Sequence, residues 1–409
     1  MTLTSNSRRK IVIVGGNSAG LRVANQIFRM MRWPNVTIVE PSTSHVYEPL
    51  LPWLAAGLAT PEEVSKPLAD VLPKQINWAR QGLKKLDPKK KVVILESGRE
   101  IPFEFLVWAD GLVPNWKKSM KGVDALVGEN GICHTLDLEN ARATQKMVNS
   151  FEGGKVVFAM MSQLKGEEAA QRFLFLLDDV LRKKGLRDKS SFHFVAIRPD
   201  LFPSTKIREK LEAIAKQKGV ELHFNHGFKS IDADKRTIVF DQLNEKGKAS
   251  GETLELDYDL LHVTPALIPP EPLNKAKLAA RTGDSKGLMA VDQHTLQHKK
   301  QKYYFGIGDA LALPIPRVDA AAEGQAPIVA YNLLATLKGK GPGTFKKYDG
   351  HASVSLSSAN KQALLTGFDY ENEQVAVSMG SEEEGYLSWL KSRYINPWMY
   401  WRKAAKGQL

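Results

Sequence analysis

The chain has 409 residues, and at about 150 residues per domain this length suggests two or three domains. Hydrophobic residues make up 43% and charged residues 25%, which is ordinary for a globular protein and excludes wholesale disorder or a collagen-like fibre. The net charge of +12 is compatible with nucleic acid, anionic lipid or a solvated basic surface, and we expect no nucleic-acid partner. The single cysteine, Cys133, excludes an intrachain disulfide and any mechanism that needs two thiols in one chain.

Strands and helices alternate along most of the chain. A short apolar run ending in a glycine turn, a segment of helical periodicity and a second apolar run predict a βαβ unit at the start. Residues 76–109 look like antiparallel strands separated by turn residues. The predicted strands lie at 10–16, 35–40, 78–82, 91–96, 105–109, 155–160, 191–197, 237–240, 260–263 and 303–309, and the predicted helices at 18–32, 167–184, 206–218 and 320–337.

This order predicts an α/β fold of two Rossmann-like dinucleotide-binding domains with interleaved antiparallel strands. A C-terminal helical segment at a membrane or protein interface would complete it. We expect the first dinucleotide-binding domain over 1–150 and 281–345, the second over 151–280, and the C-terminal region over 346–409.

A glycine-rich turn between the first strand and the first helix is typical of dinucleotide binding. The usual fingerprint is G-x-G-x-x-G, and Asn17 stands here at its middle glycine. Asn tolerates unusual backbone angles better than most residues, and the helix start still offers N–H groups to a diphosphate. Glu40 ends the second strand, where a carboxylate accepts hydrogen bonds from an adenosine ribose. The alternative is a plain strand turn. The candidate cofactor-binding residues here are Gly15, Gly16, Asn17, Ala19, Gly20 and Glu40.

Further segments resemble one family over nearly the whole chain, from about residue 10 to 400. The chain is similar to sulfide:quinone oxidoreductases, which are flavoproteins with two dinucleotide-binding domains, and especially to their mitochondrial branch. The segments that carry the resemblance are 40–49 (EPSTSHVYEP), 261–265 (LHVTP), 295–298 (TLQH), 305–309 (FGIGD), 347–350 (KYDG) and 368–370 (FDY).

The resemblance implies a cofactor, a reaction and a location. It implies non-covalently bound FAD, with Gly308 and Asp309 beside the flavin ribityl or phosphate region. It implies electron transfer from sulfide through flavin to quinone. It also implies peripheral attachment to a membrane, the mitochondrial inner membrane for this branch.

The chain departs from the family at the positions that carry its chemistry. Family members use a pair of cysteines beside the flavin, because a thiolate is nucleophilic and holds sulfur as a persulfide. By resemblance those cysteines would stand where this chain has Gly166 and Ala310, so we expect no catalytic residue of that kind and doubtful sulfide oxidation. The strand at 155–160 also runs on without the glycine cluster of NADH-using relatives, and no metal-ligand constellation stands out.

The C-terminal segment 386–409 combines aromatic and basic residues without an acid. Tyr and Trp favour the membrane interface, and Lys and Arg are attracted to anionic lipid. We expect contact with a membrane and quinone here. The alternative is an aromatic seam within a membrane protein complex. Pro397 is expected to break the segment into two short helices.

Two main functional hypotheses follow. The first is a membrane-associated, FAD-dependent oxidoreductase that resembles sulfide:quinone oxidoreductase but lacks the thiol pair. The second is a catalytically degenerate accessory or structural subunit of a membrane complex. A third reading, an NAD(P)H:quinone reductase, would need NADH to bind without a second glycine-rich loop.

Overall fold

The computed structural model describes residues 9–31, 34–202, 204–372, 375, 377 and 383–408. The strands are β1 (Ile11–Val14), β2 (Val36–Val39), β3 (Ser44–Val46), β4 (Ser65–Pro67), β5 (Asn77–Ala79), β6 (Leu83–Asp87), β7 (Val92–Leu95), β8 (Glu100–Pro102), β9 (Phe105–Trp108), β10 (Val113–Pro114), β11 (Ile132–Cys133), β12 (Gly154–Met160), β13 (Ser190–Ala196), β14 (Val220–His223), β15 (His226–Asp232), β16 (Thr237–Leu243), β17 (Ala249–Asp257), β18 (Leu260–Thr264), β19 (Leu267–Ile268), β20 (Tyr304–Gly306), β21 (Ala352–Ala359) and β22 (Gln362–Phe368).

The helices follow the same alternation that the sequence predicts. They are α1 (Ser18–Met30), α2 (Leu51–Ala55), α3 (Pro61–Val64), α4 (Leu68–Val71), α5 (Trp116–Ser119), α6 (Leu138–Ser150), α7 (Glu167–Lys183), α8 (Thr205–Gln217), α9 (Glu271–Lys275), α10 (Asp319–Leu337), α11 (Tyr386–Leu390) and α12 (Asn396–Arg402).

The first sheet is entirely parallel, in the order β20-β9-β1-β2-β5. Strands β1 and β9 are apolar at every position and fully buried, as expected of strands covered on both faces. The prediction that residues 76–109 form antiparallel strands is therefore wrong in part. Strands β5 and β9 join the parallel sheet, and only β6, β7 and β8 form an antiparallel sheet.

The second sheet is also parallel, in the order β11-β18-β12-β13-β14. An antiparallel sheet of β15, β16 and β17 packs beside it. Cys133 lies in β11 and is buried, and burial raises the pKa of its thiol to about 12. The two parallel sheets with intervening antiparallel strands confirm the predicted α/β fold class, while the domain boundaries stay a prediction.

The C-terminal segment forms one nearly continuous helical stretch. Helix α11 leads into a π-helical turn at Lys391–Ile395, which leads into α12. The two predicted short helices are present as α11 and α12, but Pro397 does not separate them: it lies in the first turn of α12, where its missing N–H costs least. Among the described residues, no helix is both long enough and apolar enough to cross a membrane.

Candidate functional site

The glycine turn after β1 brings strand and helix unusually close together. Gly15 has a φ of +99°, which L side chains rarely adopt. A Cβ added to Gly20 would lie 1.9 Å from the Gly15 carbonyl oxygen, so α1 passes the turn at a distance that only glycine permits. These are the first and last of the three glycine positions in the dinucleotide fingerprint, and the backbone here needs glycine at both.

Asn17 closes the start of α1 with its own side chain. Its backbone is extended, and its Oδ1 accepts hydrogen bonds from the N–H groups of Ala19 at 3.0 Å and Gly20 at 3.3 Å. Its Nδ2 donates to the carbonyl of Ala109 at 2.8 Å. Asn17 is therefore an N-cap that occupies two of the N–H groups a diphosphate would use.

Glu40 lies beside the glycine turn, as predicted from its place at the end of β2. Its Oε2 accepts a hydrogen bond from the Gly16 N–H at 2.7 Å, and its Oε1 accepts one from the Ser42 N–H at 2.8 Å. Asp110, which the sequence analysis missed, follows β9 on the other side of β1. Burial, with help from the Glu40 charge, raises the pKa of Asp110 to about 6. Its signal in the sequence was its position after an apolar strand.

Gly308 and Asp309 lie opposite the start of α1. A Cβ on Gly308 would lie 3.3 Å from that of Ala19, so the two loops are in contact. The Asp309 carboxylate forms a 2.6 Å salt bridge with Lys165 Nζ. The same Nζ forms a second salt bridge, of 3.1 Å, with the Glu48 carboxylate. Burial alone would lower the pKa of Lys165, but the two carboxylates outweigh burial and raise it. Asp309 is therefore ion-paired with Lys165, which lies in the loop after β12 of the second sheet.

A second buried ion pair joins α1 to α10 at the same site. Arg22 donates to both carboxylate oxygens of Asp319, at 2.9 and 3.1 Å, and Ser18 donates to the same carboxylate. Although burial raises the pKa of Asp319, Arg22 outweighs it and holds that pKa below its usual value. The Arg22 guanidinium also lies 5.0 Å from the ring centroid of Tyr400 in α12, and Tyr400 hydrogen-bonds His45. The C-terminal segment therefore packs directly on this site.

The resemblance places the family's two cysteines at Gly166 and Ala310. Gly166 directly follows Lys165 in the chain, and Ala310 directly follows Asp309, so each position adjoins one residue of the salt bridge. Gly166 has a φ of +113°, and a Cβ there would lie 2.9 Å from Thr264 Cγ2. Ala310 is completely buried. A cysteine at position 166 would therefore meet backbone strain and a close contact, and one at position 310 would be fully buried.

Two observations suit a dinucleotide at the glycine turn. Glycine at positions 15 and 20 lets the strand, the turn and α1 approach one another closely, as the fingerprint requires. Arg22 Nε and Glu167 Oε2 are buried polar atoms without a hydrogen-bond partner. Asn17 Oδ1 occupies the N–H groups of Ala19 and Gly20, so a diphosphate that bound these groups would displace it. The assignment of the predicted residues to a cofactor stays a prediction.

The C-terminal segment divides its aromatic residues between the body and the surface. Tyr400 and Trp401 are buried, and the Trp401 indole donates to the Glu63 carbonyl at 2.9 Å. Arg393 anchors the same segment through two contacts of 2.9 and 3.0 Å with the Glu63 carboxylate. Four large apolar side chains remain exposed, and we call them the C-terminal apolar patch: Tyr386, Leu387, Tyr394 and Trp398.

The paired parallel sheets and the glycine turn define the class: an oxidoreductase fold with two dinucleotide-binding domains. The chain is 31% identical over 403 residues to the mitochondrial sulfide:quinone oxidoreductase of Dictyostelium discoideum, covering 98% of this chain and 86% of the relative. It belongs to the sulfide:quinone oxidoreductase family. No family model matches the sequence.

Two solved structures share the fold over nearly the full length. The sulfide:quinone oxidoreductase of Aquifex aeolicus has a TM-score of 0.81 at 20% identity, covering 98% of this chain and 92% of that one. A chain in the mitochondrial ATP synthase structure of Tetrahymena thermophila has a TM-score of 0.80 at 22% identity, covering 98% and 96%. At these identities the likeness shows the fold alone.

Proposed function

We propose that this chain is a membrane-associated, FAD-dependent oxidoreductase of the sulfide:quinone oxidoreductase family that does not oxidise sulfide, because it lacks the thiol pair. The observation that carries the proposal is the replacement of both thiol positions. Gly166 and Ala310 cannot act as nucleophiles, and each directly follows one residue of the Lys165–Asp309 salt bridge. The single thiol, Cys133, is buried in the second sheet and cannot substitute.

The residues around the glycine turn suit the roles that the resemblance implies. Gly15 and Gly20 permit the close strand–helix approach of the dinucleotide fingerprint. Glu40 lies at the same turn, where its carboxylate could accept hydrogen bonds from the adenosine ribose in place of the Gly16 N–H. Asp309 would face the ribityl chain. Bound FAD would supply electron transfer, which these side chains cannot supply themselves.

The C-terminal apolar patch supports attachment to a membrane and access for quinone. Its four side chains are exposed by 48–63%. Basic residues of the same segment, among them Lys391 and Arg402, add attraction to anionic lipid. Relatives named as mitochondrial support a mitochondrial location, and we place the protein peripherally at the inner membrane.

Anaerobic sulfide titration of FAD-loaded protein, followed by visible absorbance, tests this proposal. We expect the flavin absorbance to be present and to persist after sulfide is added. Dithionite, which reduces flavin directly, is the positive control and should bleach it. Rapid bleaching by sulfide that survives Cys133→Ser would contradict the proposal, because the reaction would then need no thiol of this chain.

A second candidate function rests on the pairing of side chains around the glycine turn. Asn17, Arg22 and Lys165 are all engaged in hydrogen bonds or ion pairs within the chain. A chain of the Tetrahymena ATP synthase structure shares the fold. On this alternative the chain is an accessory subunit of a membrane complex. It predicts that solubilised membranes yield the chain within a large complex and without flavin.

A further inference from the structure

Three metal-ligating side chains meet on the second sheet, away from the glycine turn. His193 lies in β13 and is the register partner of Glu221 in the neighbouring strand β14. His223 follows two residues later in β14, so its side chain points to the same face of the sheet as Glu221. The three ligand atoms lie within 4.8 Å of one another.

The distances among these atoms fit a shared ion. His193 Nδ1 is 3.4 Å from Glu221 Oε2 and 3.4 Å from His223 Nε2, and the last pair is 3.9 Å apart. Zinc binds imidazole nitrogen and carboxylate oxygen at about 2.0–2.2 Å, so the edges of its tetrahedron measure about 3.3–3.6 Å. Two of the three distances match. The third needs only a small shift of the Glu221 side chain, which is 65% exposed.

A hydrogen bond accounts for only one of the three contacts. His193 and His223 lie at long hydrogen-bond distance, 3.4 Å, while both contacts to Glu221 exceed the usual span of about 2.7–3.2 Å for N–H···O. The two imidazole rings are nearly parallel, at 18°, with a ring nitrogen of each directed at the other.

We propose that His193, Glu221 and His223 bind a divalent transition-metal ion, with zinc as the best fit. Two imidazoles and one carboxylate suit zinc, whereas calcium and magnesium prefer all-oxygen sites. The partial exposure of His223 and Glu221 leaves a fourth position open to water. The ion would tie β14, the edge strand of the second sheet, to β13. The site cannot be recognised from a short sequence motif, because His193 and His223 are 30 residues apart.

Zinc binding to the untagged full-length chain, stripped of metal with a chelator, tests this site. We expect one tightly bound zinc per chain by calorimetry, and a rise in melting temperature when zinc is added. Glu221→Gln and His223→Asn should each weaken binding by at least about 10-fold, since even outer-shell changes at metal sites cost about 10- to 100-fold. Cobalt in place of zinc should give the visible spectrum of a tetrahedral ion.

His351→Asn is the matched control, because His351 is exposed and lies outside the cluster. It should bind zinc as the unchanged chain does. Circular dichroism shows whether each variant is folded, and Glu221→Gln alters an exposed side chain that the fold does not need. The proposal is overturned if the unchanged chain takes up no zinc, or if Glu221→Gln and His223→Asn bind it as tightly as His351→Asn.

Discussion

Replacing Asn17 by glycine should strengthen FAD binding while weakening the unliganded protein. Asn17 Oδ1 accepts hydrogen bonds from the N–H groups of Ala19 and Gly20. A bound diphosphate would otherwise accept hydrogen bonds from the same two groups. A neutral hydrogen bond contributes about 0.5–1.5 kcal/mol and one to a charged group about 1.5–3 kcal/mol. In the glycine variant FAD no longer has to break these two neutral hydrogen bonds, which saves about 1–3 kcal/mol, or roughly a 5- to 150-fold lower Kd.

The cost to the unliganded chain is small enough to measure without unfolding it. Glycine replaces an N-cap at a cost of a few tenths of a kcal/mol, and loss of the Nδ2 bond to Ala109 adds about 0.5–1.5 kcal/mol. The assay is FAD titration by flavin fluorescence, with urea unfolding of the unliganded protein. Asp137→Gly, which removes the N-cap of α6, is the matched control and should leave FAD affinity unchanged. An Asn17→Gly variant that binds FAD no more tightly than the unchanged chain would refute the reasoning.

Three further predictions concern the thiol positions, the membrane and pH. Gly166→Cys combined with Ala310→Cys should not create sulfide oxidation, because a side chain at a φ of +113° and 2.9 Å from Thr264 Cγ2 costs about 1–3 kcal/mol in strain alone; sulfide-dependent bleaching and urea unfolding measure this. Changing two residues of the C-terminal apolar patch to serine should weaken sedimentation with anionic vesicles at least about ten-fold, since each buried apolar side chain contributes about 1.5–3 kcal/mol. Burial lowers the pKa of His45 to about 4, so the unfolded chain takes up a proton first as pH falls. Stability should therefore be lost between about pH 6.5 and pH 4, by about 3 kcal/mol, and His45→Gln should flatten that loss in urea unfolding.

For each of these three predictions, one experimental outcome would contradict it. Rapid bleaching by the double-cysteine variant would show that the site accepts thiols as it stands. Val113→Ser, an exposed apolar residue outside the patch, should leave vesicle binding unchanged; equal binding by the patch variant would contradict membrane contact there. Parallel pH profiles for the unchanged chain and His45→Gln would show that His45 is not the group responsible.

Local patterns predicted the parts of the fold that are locally determined. The apolar run before Gly15 and the periodicity after it yield β1 and α1 close to their observed bounds, because a buried parallel strand and an amphipathic helix each leave a pattern in the sequence. Strand partners leave no such pattern. Strands β5 and β9 are short and bounded by turn residues, so from the sequence alone they look like strands of an antiparallel meander. In the structure each pairs in parallel with a strand of the first sheet.

The candidate site was predictable in its backbone and not in its ion pairs. Glycine spacing reports where strand and helix must come close, so the turn and Glu40 were found. The Arg22–Asp319 pair joins residues 297 positions apart, and Lys165 and Asp309 are 144 apart. No spacing rule links such residues, because only the packing of the loops decides which charges meet.

Equilibrium titration of the purified, unliganded chain with FAD decides whether this protein is a flavoprotein. We expect saturable binding of one FAD per chain, with Gly20→Ala abolishing it, because the added methyl group would lie 1.9 Å from the Gly15 carbonyl oxygen. A folded, unchanged chain that shows no saturable FAD binding would overturn the proposed FAD-dependent function and would favour the accessory-subunit alternative.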